Sequence, residues 1–209
     1  MEHDDTFTET RRALHGVAEL LLAGPQHAAS GKITLRSLPG GFGTTHSPDV
    51  RVDGTAVVAG DHRAEIDGRT PRDLAALLGL EPSTLGHVYR DGSGVQLDDT
   101  LHVDAGVAER IAHAYATGDE ALRSFASDQV PILWPEHFDI GIAMEGRRVN
   151  LGVSPGDATI PVPYMYVGPW DSRPVDDFWN QPFGAARELA PSTAEVVLFF
   201  TEAFDRLSG

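Results

Sequence analysis

Apolar and polar positions alternate with a period of two most cleanly between His137 and Ser154. Phe138, Ile140, Ile142 and Met144 are apolar, whereas His137, Asp139, Gly141 and Ala143 are polar or small. That pattern predicts a strand with one face in a core. Glu145-Gly146 supplies a turn, after which Val149, Leu151 and Val153 are apolar and Asn150, Gly152 and Ser154 are not. With Glu145 and Gly146 as the loop, Met144 faces Arg147, Ile142 faces Val149, Ile140 faces Leu151 and Phe138 faces Val153. On the other side Gly141 meets Asn150, Asp139 meets Gly152 and His137 meets Ser154. Glu-Gly is a weaker two-residue turn than Asn-Gly, and a longer loop of the same parity would keep both faces. Ser154-Pro155-Gly156-Asp157 reads as a type II turn. Residues 160–167 form a third extended segment, whose Pro161 and Pro163 place its start at an edge or outside the sheet.

Elsewhere the apolar spacing is helical or mixed. Residues 8–22 read as an amphipathic helix with Leu14, Val17 and Leu21 on one face, stopped by Gly24-Pro25. Residues 32–38 read as a strand entering a wide glycine-rich turn, 39–43. That turn lacks the lysine of a phosphate loop and fits no dinucleotide spacing. Asp53-Gly54 marks a type I′ hairpin between 50–52 and 55–58, with a short strand at 64–67. Thr70-Pro71-Arg72-Asp73 opens a helix that Gly79 closes after Leu78. A loop-rich segment, 81–101, precedes a helix capped by Asp104. It runs to about Ala126, with a break near Gly118 as an option, and shows Val107, Ile111, Tyr115, Leu122 and Phe125 on one face. Residues 171–190 read as irregular, with Phe178-Trp179 and Pro182-Phe183 covering one edge of the sheet. Ser192 to Glu195 is a capping box that starts a C-terminal helix burying Val196, Val197, Phe200, Phe204 and Leu207.

These elements predict an α+β fold: antiparallel sheet with N-terminal, central and C-terminal helices packed on the core. The division expected is 1–80, a loop-rich connection at 81–103, and 104–209, with one continuous domain as the alternative. A net charge of −15 argues against non-specific binding to nucleic acid or anionic membranes. The chain has no cysteine, which excludes disulfides and thiolate chemistry. No apolar run reaches membrane-spanning length, and the acidic start, MEHDDTFTET, is the reverse of a secretion signal, so a soluble cytoplasmic protein is expected. The oligomeric state stays open.

Trp134-Pro135-x-His137-Phe138-Asp139, Ser154-Pro155-Gly156-Asp157 and Pro163-Tyr164-x-Tyr166-Val167 resemble motifs of uncharacterised bacterial, chiefly actinobacterial, protein families. The resemblance covers roughly the C-terminal half and implies no reaction, cofactor or catalytic residue.

Candidate chemistry comes from the residues themselves. His137 and Asp139, two apart on a strand, would share a face and could serve as an acid–base pair. Glu136 would point away. Asn150, Tyr164 and Tyr166 on the polar face, with Trp134 and Trp170, would line a small-molecule site, the small residues leaving room above the sheet. The leading expectation is a small-molecule-binding protein, with an acid–base step by that His–Asp pair as an option and its cofactor, if any, unknown. The competing class is a non-catalytic interaction protein using the aromatic surface. A third is a metalloprotein using the helical pairs His15/Glu19 and Glu109/His113, which resemble halves of a bundle metal site but commonly lie on solvated faces. Ser154 lacks a nucleophile-elbow context and reads as a turn serine.

Overall fold

A computed structural model of the chain describes residues 2–171 and 176–208. Residues 172–175, part of the stretch expected to be irregular, lie outside the described residues, as do Met1 and Gly209. The described residues form five α-helices and ten strands, every strand pairing antiparallel, so the fold is α+β as expected. None of these helices is long and apolar enough to cross a membrane. Two compact units are present: Met1–His113 with Leu133–Phe138, and Ala114–Ile132 with Asp139–Gly209. The loop-rich segment after residue 80 lies within the first unit.

The first unit begins with α1 (Glu2–Val17), which does not stop at Gly24-Pro25. Instead one π-helical turn, Ala18–Ala23, leads directly into α2 (Gly24–Ser30). Proline lacks the N–H that an α-helix would need; at the start of a helix that N–H is not missed, and the wider turn re-registers the chain so that the Gly24 N–H reaches the Glu19 carbonyl. Every residue of the π turn is buried. The strands follow in the order β6 (Ile132–Trp134), β1 (Leu35–Leu38), β2 (Gly41–Thr44), β3 (Val50–Asp53), β4 (Ala56–Ala59) and β5 (His62–Glu65). Pro39-Gly40 is the whole β1–β2 turn, and Gly41-Phe42-Gly43, expected as loop, is strand because Leu38 pairs with Gly41. Asp53 pairs with Ala56, so the hairpin loop is Gly54-Thr55, one residue later than expected. Gly54 takes φ 62° as the first loop residue, the position at which a type II′ turn wants glycine. The buried Gln26 amide donates to the Lys32 and Thr34 carbonyls and accepts from the Thr45 and His46 N–H groups, tying α2 to the strand ends. α3 (Pro71–Leu78) opens at Thr70 and closes at Gly79 as expected, with Thr70 and Asp73 forming a capping box and Gly79 left-handed.

In the second unit β7 (Asp139–Met144), β8 (Val149–Ser154), β9 (Tyr164–Pro169) and β10 (Ala185–Glu188) pair in sequence order. Ile142 pairs with Leu151 and Ile140 with Val153, two residues away from the expected register. The loop is four residues, a 3₁₀ turn at Glu145–Arg147 plus Arg148 at φ 53°. The parity is unchanged, so both faces are as expected. α4 (Ala105–Phe125) is unbroken. Gly118 lets it approach the sheet, since a Cβ there would lie 2.8 Å from Ile140 Cγ2 and 2.9 Å from Val153 Cβ. α5 (Thr193–Ser208) follows the Ser192–Glu195 box and buries Val196, Phe199, Phe200 and Ala203, while Val197, Phe204 and Leu207 are half-buried. Strand β10, within the stretch expected to be irregular, is an edge shielded by Asn180, whose amide accepts from Ala186 N–H and donates to its carbonyl.

Candidate functional site

Three strands of the second unit lay the expected ligand residues on one face. Across β8 and β9, Ser154 stands beside Tyr164, Gly152 beside Tyr166 and Asn150 beside Gly168, while across β7 and β8 Gly141 meets Gly152 and Ala143 meets Asn150. Trp170 extends the row of Tyr164, Tyr166 and Gly168, its N–H donating to the Arg148 carbonyl at 2.8 Å.

Half of this face is closed by its own side chains. The Tyr166 hydroxyl donates to the buried Asp139 carboxylate across the glycine floor. A Cβ on Gly141 or on Gly152 would stand 2.8 Å from that hydroxyl, so the space the small residues leave is filled by Tyr166. Tyr164 donates to Asp157 Oδ2 at 2.6 Å, and Asp157 Oδ1 accepts from the Thr159 and Ile160 N–H groups at 2.6 and 2.8 Å. Burial first, and then the adjacent carboxylates, raise both tyrosine hydroxyls above the ordinary phenol range, so they act as neutral donors. Ser154 Oγ accepts from the Gly156 N–H at 3.1 Å, the bond of a turn serine.

The other half is open. Trp170 is 44% exposed, yet fixed: its indole N–H donates to Asn150 Oδ1 at 3.0 Å and the Arg148 guanidinium lies 5.5 Å from the ring centre. Arg148 is in turn paired with Asp171 through both guanidinium ends, at 3.0 and 3.2 Å. Beside the indole the floor is Ala143, which is exposed, and Gly168, where a Cβ would meet nothing closer than Phe183 O at 3.4 Å.

No protein-family model matches the chain, and no curated protein or solved structure is similar to it.

His137 and Asp139 are not strand neighbours. Residues 135–138 form a turn, Phe138 takes φ 53°, and β7 begins only at Asp139. The alternation that would have put the two side chains on one face is broken at Phe138. His137 is 65% exposed with Glu136 Oε2 at 3.9 Å, whereas Asp139 is buried and holds Tyr166. Trp134 is a partly exposed residue of β6 in the first unit, its carbonyl accepting the Phe138 N–H at 2.8 Å.

The left-handed Phe138 is held by aromatic packing: its ring stacks on His15 at 4.9 Å and presses edge-on against Phe42 at 5.4 Å. His15 Nε2 lies 2.6 Å from the Pro135 carbonyl, which can only accept, so Nε2 carries the proton. The pair is thus not on a solvated face: Glu19 is buried and His15 partly so. His15 Nε2 is 4.0 Å from Glu19, whose carboxylate accepts from Tyr89 Oη at 2.9 Å and from the Ser93 N–H and hydroxyl. Sequence spacing revealed the helical pair; nothing in it located Tyr89 and Ser93 as partners. Glu109 and His113 are both exposed, and among the described residues no three His, Asp or Glu side chains gather to hold a metal.

Burial holds the His15 imidazole below the ordinary histidine range, with Glu19 and the Pro135 carbonyl opposing. Below about pH 6.5 the unfolded chain therefore binds a proton that the folded chain refuses, and stability falls as pH falls through that window. Denaturant titrations from pH 7 to pH 5 are expected to show a steeper loss for the wild type than for His15→Asn. Parallel lines for the two would mean that His15 does not titrate with folding.

Proposed function

We propose that the protein binds a small organic ligand on the open half of the second unit's sheet face, against Trp170, with Asn150 and Arg148 at its edge. The observation that supports this is the Trp170 indole, exposed but fixed by Asn150 beside an unfilled floor at Gly168 and Ala143. An aromatic wall that is ordered before binding costs little conformational entropy when a ligand arrives. Tyr164 and Tyr166 act as the back wall, their hydroxyls committed to Asp157 and Asp139. Binding is favoured over catalysis, because the carboxylates of this face are engaged by those hydroxyls and the His137–Asp139 strand pair is not formed. The alternative, a protein–protein contact, is favoured by Phe183, 43% exposed in the segment whose backbone borders Gly168.

A ligand-observed NMR screen with a library of neutral ring-containing fragments tests the reading. Hits are expected to lose at least about tenfold in affinity on Trp170→Ala and on Gly168→Val, which fills the floor. Hits that bind both variants as well as the wild type, or a library without hits, would remove the ligand site. A wild-type surface that instead self-associates or captures protein through Phe183 would favour the alternative.

A further inference from the structure

Segment 83–95 of the first unit runs antiparallel along the helix formed by α1, the π turn and α2, touching it seat by seat. The Ser83 N–H donates to the Leu20 carbonyl at 3.1 Å, and a Cβ on Gly24 would stand 2.0 Å from Ser83 O. One helical turn earlier, the Gly92-Ser93 backbone rests on the Glu19 carboxylate, so closely that a Cβ on Gly92 would be 2.1 Å from Oε1. Val95 then sits on Gly16, where a Cβ would be 2.6 Å from its Cβ. Arg12 finishes the series, donating to Gly94 O at 3.2 Å and to Asp99 at 3.1 Å. The ends are anchored by the buried Leu85 and Val95. Between them residues 86–88 and 90–92 are exposed; toward the helix, Tyr89 and Ser93 donate to Glu19, and the His87 ring lies 5.3 Å from that of His27 in α2.

We propose that this segment is a strap that opens and closes locally over the helix, with the Glu19 carboxylate as its latch. A buried carboxylate is stable only while its oxygens accept hydrogen bonds, and Tyr89 and Ser93 supply them from the strap. Closure therefore needs the strap, and the strap's centre needs the charge. The π turn places that carboxylate in an otherwise apolar helical run, AELLLA, and π turns are frequent where a helix serves more than packing. Opening would expose Glu19 with His15 one turn away, while the Leu85 and Val95 anchors keep the rest of the unit folded. Such sub-global opening draws on the least buried, least bonded part of a structure, which describes this centre.

Arg90, exposed in the middle of the strap, gives a direct readout through limited trypsin digestion of the whole protein. In Glu19→Gln the amide offers a single acceptor oxygen to Tyr89 and Ser93, and its NH₂ opposes the Ser93 N–H. Cleavage after Arg90 is expected to accelerate at least about tenfold, with cleavage after Arg51, Arg123 and Arg187 unchanged. Tyr89→Phe and Ser93→Ala, which alter only the strap side, should each give a smaller acceleration at Arg90, and their double variant decides the matter if Glu19→Gln does not fold. Unchanged cleavage after Arg90 in the folded variants, or equal acceleration at every site, overturns the proposal.

Discussion

Gly152→Val is expected to lose about 3 kcal/mol or more of folding stability. A Cβ at this position would lie 2.3 Å from the Ile140 carbonyl oxygen and 2.9 Å from Gly141 Cα. Those are backbone atoms of the neighbouring strand, so the clash cannot be relieved by a rotamer change. The third contact, Tyr166 Oη at 2.8 Å, would push that hydroxyl off Asp139 and add the disruption of a buried polar pair. Gly168→Val is the control within the same sheet. Its Cβ would meet only Phe183 O at 3.4 Å and Asn150 O at 3.9 Å, so a change within about 1 kcal/mol of wild type is expected. Urea unfolding of the two variants, followed by circular dichroism, separates them. Equal stabilities would mean that Gly152 does not set the approach of Tyr166 to the sheet.

That contrast also marks how much was legible in the sequence. Parity was, because a buried strand face needs apolar side chains at every second residue, and Ile140, Ile142, Val149, Leu151 and Val153 are all buried. The loop length was not. Glu-Gly does not enforce a two-residue turn, and Arg148 in a left-handed conformation accommodates two further loop residues. Phe138 is where pattern and structure part, at the point that matters for chemistry. It fits the apolar phase of the strand, but its burial comes from stacking on His15, a residue far away in sequence that no local pattern reveals. The small residues Gly141 and Gly152 leave space above the sheet, but Tyr166 fills it. Which side chain occupies that space depends on β9 pairing with β8, a tertiary fact. Trp170 and Asn150 share the open half of that face, an adjacency that also depends on β9 pairing with β8. Gly24-Pro25 predicts a helix end because proline ends most helices; a π turn is the uncommon accommodation, and its product, a buried Glu19, leaves no signal in the sequence for the same reason.

Tyr166→Phe should cost roughly 2–4 kcal/mol, a large effect for the removal of one oxygen atom. The reason is the partner. Asp139 is 7% exposed, and the hydroxyl that Tyr166 donates is a charge-assisted bond to a carboxylate removed from water. Without it the carboxylate keeps its desolvation cost and loses a donor. Tyr164→Phe is chemically the same change at the next tyrosine of the same strand, yet about 1 kcal/mol is expected there. Asp157 retains the Thr159 and Ile160 N–H donors on its other oxygen and lies nearer to solvent. The ordering of the two variants is therefore the test, since hydrophobic burial of the ring is unchanged in both. A double-mutant cycle of Tyr166→Phe with Asp139→Asn should return a coupling above about 1 kcal/mol, because neutralising the aspartate removes much of what the hydroxyl stabilises. If Tyr166→Phe proves as mild as Tyr164→Phe, the Tyr166–Asp139 bond is not what closes the inner half of the sheet face.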